Sequence, residues 1–264
     1  MTDSENLEGT GQPPLEAIAM AALEAGRLLM EAGASARSVD EIVTTVACGL
    51  GAERVGLRVG YASLGLTIGI GRFGITRMHK VGHIGVNQSL DQALRRLAER
   101  IEQGGMTPFE ARAEMDRLIR ETPRHSSWVM AIAVGLACAA FGRLLGADWL
   151  GTLPVLVAAT IGQYVRRELA TRHFNVFLNA TLVSFISSVV GGLGAHYVGS
   201  QTVSTAMIAS ILLLVPGVPA LNAQNDILEG RPSLGSARAV WVAVILIFIT
   251  AGLWLGQALI AEGR

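Results

Sequence analysis

The sequence predicts an α-helical membrane protein, with five transmembrane helices preceded by a small cytoplasmic α+β domain. Three observations lead there. Residues 1–125 carry most of the charge, whereas 126–264 are mainly Leu, Ile, Val, Ala, Gly and small hydroxyl residues. Five stretches of the second half reach or approach the roughly 20 apolar residues that cross a bilayer. Arginines gather in alternate connections between those stretches, the pattern of a multi-pass protein with one basic face. The chain thus divides into a disordered lead-in (1–13), a cytoplasmic α+β domain (14–125) and a five-span membrane domain (126–264).

The opening MTDSENLEGTGQPP is polar, acidic and rich in turn formers, without the basic start and apolar core of a signal peptide. Ile18, Leu23, Leu28 and Leu29 among many alanines then predict a helix over 14–32, ending at Gly33. Ser38 with Glu41 fits a capping box that opens a second helix running to about Leu50. ERVGLRVGY, LGLTIGIG and ITRMHKV read as three strands. Two more helices are expected over 88–103 and 107–121, the latter with Thr107 as cap and Pro108 in its first turn. Their mixed charges, as in DQALRRLAERIE, predict a solvated face with local ion pairs, a docking or regulatory surface being the alternative.

Two motifs in this half carry little. Gly69 to Gly74 matches GxGxxG, but a dinucleotide site needs that run to open a helix, and ITRMHKV is extended. His79 and His83 have the i, i+4 spacing of a metal pair, yet Gly82 and the strand context remove the helix that spacing needs. There is no Walker loop, nucleophile elbow or Cys/His pairing, so neither a cofactor nor a metal is expected, and an enzyme is disfavoured. The formal net charge of zero gives no support for a nucleic-acid partner. Cys48 and Cys138 suggest neither a disulfide nor a metal site and are expected to be reduced, buried and inert.

The expected spans are about 128–146, 149–165, 174–197, 201–221 and 238–260. The first holds Arg143 near its end, where a long side chain can reach the interface. The second is short, begins at Trp149 and contains Pro154 and Gln163. Arg117, Arg120 and Arg124 precede the first span, Arg166, Arg167 and Arg172 follow the second, and Arg231 and Arg238 follow the fourth. The connections GAD (146–148) and HYVGSQ (196–201) have neither Lys nor Arg. The N-terminal domain is therefore expected in the cytoplasm and the C-terminus outside.

The stretch VPGVPALNAQND, 215–226, closes the fourth span. Pro216, Gly217 and Pro219 oppose helix continuation, and Asn222, Asn225 and Asp226 follow within a few residues. Broken helices beside polar side chains are how many transporters build a solute site, because freed backbone dipoles need a polar guest. Asp226 is the best protonatable candidate in that setting, and Asn222, Asn225 and the amides near Gly217 are candidates to bind a solute. Asn175 and Asn179, spaced i, i+4 on one helix face, are further contributors. Plainer roles remain open: Asp226 as a cap at the membrane edge, the prolines as helix stops, and the amides, Ser184, Ser187, Ser188 and GGLG (191–194) as packing groups.

The signature carried by Pro216, Gly217, Pro219, Asn222, Asp226 and Gly230 resembles that of the bacterial threonine/serine exporter family. AGRLLMEAGASARSVDEIV and GGMTPFEARAEMDRLI support the resemblance, which covers roughly residues 15–260. It implies an exporter of small hydrophilic metabolites in a bacterial inner membrane, with threonine and serine as substrates; with no ATP-binding motif in the chain, secondary export coupled to proton entry is the expected mechanism. Dicarboxylate export of the succinate type is the alternative, as is a regulatory subunit without its own solute site. For an amino acid, Asp226 would have the further option of facing the ammonium group. For a dicarboxylate, one of Arg143, Arg166 and Arg167, otherwise read as topology determinants, would gain a role as anion ligand. The chain looks like the split arrangement of the family, which implies a separately encoded small membrane-protein partner with further spans. Its many small residues are compatible with a homo-oligomer.

Overall fold

The computed structural model describes residues 15–82, 84–122 and 126–262. The lead-in, His83 and Arg124 lie outside them. The described chain divides into two compact units, one of residues up to 122 with Val218–Ala239, the other of residues from 126 to Gly217 with Val240 onward.

In the first unit, helix α1 (Leu15–Glu31) buries Ile18, Ala22, Leu23 and Leu29 and ends at Gly33, whose φ of +92° lies where glycine carries no steric penalty. Helix α2 (Ala36–Gly49) differs from expectation at its start. Its cap is Ser35, whose Oγ accepts the Ser38 N–H at 3.3 Å; Ser38 is already one turn inside, and Glu41 binds Arg37 instead. The reason is the short link: after Gly33 only Ala34 precedes Ser35, whose extended backbone (φ −68°, ψ 156°) delivers the chain into the helix at once. Val43, Val46 and Ala47 face the core, which leaves Cys48 on the opposite, exposed side. The expectation of two buried cysteines thus holds for Cys138 and fails for Cys48.

Strands β1 (Arg54–Val59), β2 (Ser63–Ile70) and β3 (Phe73–Lys80) form an antiparallel meander with β2 in the centre. Alternation sends Leu64, Leu66 and Ile68 of β2 into the core. Gly26 lets α1 approach, since a Cβ there would lie 2.7 Å from Val43 Cγ2 and 2.9 Å from Leu64 Cδ1. The GxGxxG run is the β2–β3 hairpin: Ile70 pairs with Phe73, and Gly71 takes φ +54° at the tip. Helices α3 (Gln88–Glu102) and α4 (Pro108–Glu121) follow. Thr107 and Glu110 cap α4 reciprocally, and charges pair as Arg95 with the buried Asp91 within α3, Arg100–Glu114 between α3 and α4, and Arg117–Glu121 within α4.

The second unit contains α5 (Ser127–Leu144), α6 (Trp149–Thr171), α7 (Val176–Tyr197), α8 (Val203–Ser210) and a 3-10 turn, Leu212–Leu214. Helix α6 continues through Arg166, Arg167 and Glu168 rather than stopping at 165. One end of this unit is tied by Asp148, which caps α6 through the Gly151 N–H (2.7 Å) and also accepts from Gln201 N–H (2.7 Å) and Ser200 Oγ (2.8 Å). The two connections without Lys or Arg therefore meet. Elsewhere small residues let helices touch: Gly162 lies against Ser187 and Gly191 against Ser210.

The fourth apolar stretch is not one helix. After Leu214 the chain turns extended at Val215 (φ −63°, ψ 121°), and helix α9 (Gly217–Leu228) begins beyond Pro216. Pro216 has no N–H to give the preceding turn and disfavours helical geometry at Val215. Helix α10 (Pro232–Glu262) completes the chain; its residues up to Ala239 belong to the first unit and the rest to the second. In the second unit α10 packs on α7, with Ser184 Oγ donating to Ile249 O (2.7 Å) and Thr181 Oγ1 to Phe248 O (3.0 Å). Among the described residues α5, α7 and α10 are long and apolar enough to cross a bilayer, and the broken α8–α9 pair makes a fourth if counted as one span. The fold is thus mainly helical, with apolar spans and a small three-stranded sheet.

Candidate functional site

The break before α9 leaves backbone groups that side chains take up. The Leu213 carbonyl, which in a continuous helix would accept from residue 217, accepts Arg166 Nη1 at 2.9 Å. The Leu213 N–H faces the Cys138 thiol. The Gly217 N–H closes on Val215 O at 2.9 Å. Pro216 is half-buried and Gly217 exposed, with open space where a Cβ would stand.

Helix α9 presents Asn222 and Asp226, one turn apart, on the same face. Asn222 Nδ2 donates to Gly33 O at 3.0 Å, at the turn that ends α1. Asp226 is fully buried. Its Oδ2 accepts from Arg238 Nη1 of α10, while Oδ1 has no hydrogen-bond partner among the described residues. The amide of Ala36 also faces the carboxylate, so the N-terminus of α2 adds its positive end. Gly235 permits this closure of α10 on α9, because a Cβ there would lie 2.8 Å from Ala223 O. Arg231 binds Asp40 at 2.8 Å, and the Arg231 N–H donates to Asp226 O at 2.8 Å. Tyr61 lies near enough to feel Arg238; burial pushes its phenol above its ordinary pKa and the arginine charge opposes this. Asn225 points away into solvent, and Pro219 is half-buried in the first turn of α9.

The two other asparagines do not act as a pair. Asn175 is the cap of α7, exposed, its Oδ1 accepting from Phe177 and Leu178 N–H. Asn179 is inside the helix and buried; its Nδ2 donates to Arg166 O at 3.1 Å, and its Oδ1 has no partner among the described residues. The i, i+4 spacing is present, but only one of the two residues is helical.

Arg238 is the residue that sequence reasoning missed, having been assigned to a basic connection. The available signal was Asp226 itself: an acid withdrawn from water needs a cation, and Arg238 is inside the next helix. Chemically, the pair is a neutral unit with one free carboxylate oxygen. A proton arriving at Oδ1 would cancel the charge that holds Arg238. Among the described residues no group of three or more His, Cys, Asp and Glu is arranged to hold a metal.

Comparison with known proteins gives a consistent result. The family model described as "Putative threonine/serine exporter" matches residues 20–260. The chain is similar to the "Probable succinate transporter subunit YjjP" of Escherichia coli, at 28% identity over 94% of this chain and 95% of the relative. The protein of the same description from Klebsiella aerogenes is 25% identical over the same shares. A "Probable threonine/serine exporter" of Mycobacterium tuberculosis is 22% identical over 72% of this chain and 35% of its own length. No solved structure matches.

Proposed function

The chain belongs to the threonine/serine exporter family, and on that premise we propose that it is one subunit of a secondary exporter of small hydrophilic metabolites, driven by proton entry. It is a membrane protein of a transport family. The observation that carries the coupling step is the buried Asp226 carboxylate, paired through one oxygen and unpartnered at the other. In this reading a proton taken at Oδ1 frees Arg238, and loss of the proton restores the pair, so Asp226 alternates between two states with different partners. Within the first unit Pro219, Asn222 and Asn225 are proposed solute-side groups; within the second the proposed groups are Pro216 and Gly217, with Asn179 and the α7 cap Asn175 as lesser contributors.

We read α5, α6, α7, the broken α8–α9 pair and α10 as five passes of a bacterial inner membrane, with the N-terminal domain in the cytoplasm and the C-terminus outside. Two contacts support alternating passes. Asp148 joins the two connections free of Lys and Arg, and Asn179 meets Arg166 toward the arginine-bearing ends of α6 and α7. The near end-to-end match to relatives described as transporter subunits supports a partner, which we read as a small membrane protein with further spans. Those relatives also favour a succinate-type dicarboxylate as substrate; the family description favours serine or threonine as the second reading.

The test is flux. The chain, alone and with its co-purifying membrane partner, is placed in liposomes with labelled succinate, serine and threonine under an imposed pH gradient. Gradient-dependent movement of one of the three is expected; none for any of them would refute the reading.

A further inference from the structure

We propose that Arg166 is the anion-binding residue of the membrane unit, its guanidinium receiving a carboxylate of the transported solute at the break that follows α8. The inference rests on the transport reading above and names the substrate class: solutes with at least one ionised carboxylate.

Three observations carry it. First, Arg166 is held in place without being neutralised. Its side chain makes one hydrogen bond, to the Leu213 carbonyl, and among the described residues no carboxylate lies within ion-pair distance. Arg172, by contrast, is paired with Glu168 at 2.8 Å, whereas Arg143, which likewise has no carboxylate partner among the described residues, is taken up by the Trp149 ring at 4.2 Å and by Ala147 O of its own connection. Second, the acceptor that Arg166 uses exists because of the break. The Leu213 carbonyl is free only where the helix stops before Pro216, so the arginine is positioned by the feature that separates this element from an ordinary span. The rest of its five N–H donors remain for a guest, in the planar fork that fits a carboxylate.

Third, the adjoining turn contains an unfilled polar atom. Asn179, 7% exposed, donates to the Arg166 carbonyl and leaves Oδ1 buried and unpartnered among the described residues. A buried acceptor without a donor is costly and uncommon, and a guest bearing a hydroxyl, ammonium or protonated carboxyl would satisfy it. Asn179 therefore acts as a positioning residue for the Arg166 turn of α6. Arg166 is itself exposed, so its free donors are accessible to an anion.

The experiment measures binding of labelled succinate and serine to the purified full-length chain, with their uncharged amides, succinamide and serinamide, as controls. Arg166→Gln is expected to weaken binding of the acids at least about tenfold, the loss of a charge-assisted hydrogen-bonded contact. Arg166→Lys, which keeps the charge but not the fork, should weaken it less, and Arg167→Gln should leave it unchanged. Thermal unfolding of each variant checks that it is folded; should Arg166→Gln not fold, Arg166→Lys decides. Wild-type affinity in a folded Arg166→Gln or Arg166→Lys variant overturns the proposal, as does wild-type protein that binds neither acid or binds the amides equally well. Gradient-driven flux that is unaffected at Arg166 would overturn this inference and leave the transport reading standing. Arg166-dependent binding without any flux would do the reverse.

Discussion

Arg238 donates to Asp226 Oδ2 at 2.5 Å from twelve residues further along the chain, and the two side chains are only 7% and 0% exposed. Such a pair is expensive to bury and more expensive to break, because the surviving partner is left charged and dry. Its presence ties α9, α10 and the N-terminus of α2 into one polar centre.

Removing one member is therefore expected to cost more than removing both charges. Asp226→Ala should destabilise the protein by about 3–5 kcal/mol, the range for an orphaned buried charge. The double variant Asp226→Asn with Arg238→Gln should recover a substantial part. Chemical unfolding in detergent measures both; additive losses in the double variant would show that the two side chains are independent.

Pro216→Ala should let the helix that begins at Val203 continue past Leu214. Leu213 O would then accept from the Gly217 N–H and release Arg166. Slower amide exchange at Gly217 together with reduced transport is expected. Unchanged exchange with full transport would mean that the break is set by something other than the proline.

Local signals in the sequence were reliable wherever one side chain serves one neighbouring backbone group. Thr107 and Pro108 announced α4, and Pro216 announced an interruption. The start of α2 was harder, because Ser35 and Ser38 compete for the same role and the winner depends on how tightly the chain turns at Gly33. Asn175 and Asn179 share a spacing, but capping pulled the first out of the helix. Asp226 signalled that a cation must lie near it, but that the cation is Arg238 was not legible, since the pair forms only when Gly235 lets α10 close on α9, a fact of packing rather than of pattern. The same holds for Arg166, whose acceptor exists only once the helix has broken.

Asp148 predicts an acid sensitivity. Its carboxyl is held below its ordinary pKa, first by the Gly151 N–H and then by Ser200, Gln201 and Thr202, with desolvation opposing. A depressed carboxylate stabilises the fold fully above its unfolded pKa and loses that contribution as pH falls through the folded value. The melting temperature of the wild type should thus approach that of Asp148→Asn as pH drops below about 4. A gap between the two that does not narrow on acidification would contradict this.

Gly252 tests the packing of α7 on α10. A Cβ at this position would meet Thr181 O, and it would stand 2.8 Å from Ser184 Cβ. Gly252→Leu should push the helices apart, break the Ser184 hydrogen bond and cost about 1–3 kcal/mol. Thermal unfolding of that variant against wild type measures it, and an unchanged melting temperature would mean that this contact contributes little.

The proton-carrying role of Asp226 is most directly tested by pH-gradient-driven solute flux in liposomes that hold the full assembly, with wild type compared to Asp226→Asn. The neutral isostere loses stability because Arg238 keeps its charge without a partner; folded protein, checked by thermal unfolding, is expected to bind solute but to lose the dependence of flux on the gradient. Asp226→Asn moving solute at the wild-type rate, with the same response to pH, would contradict the account.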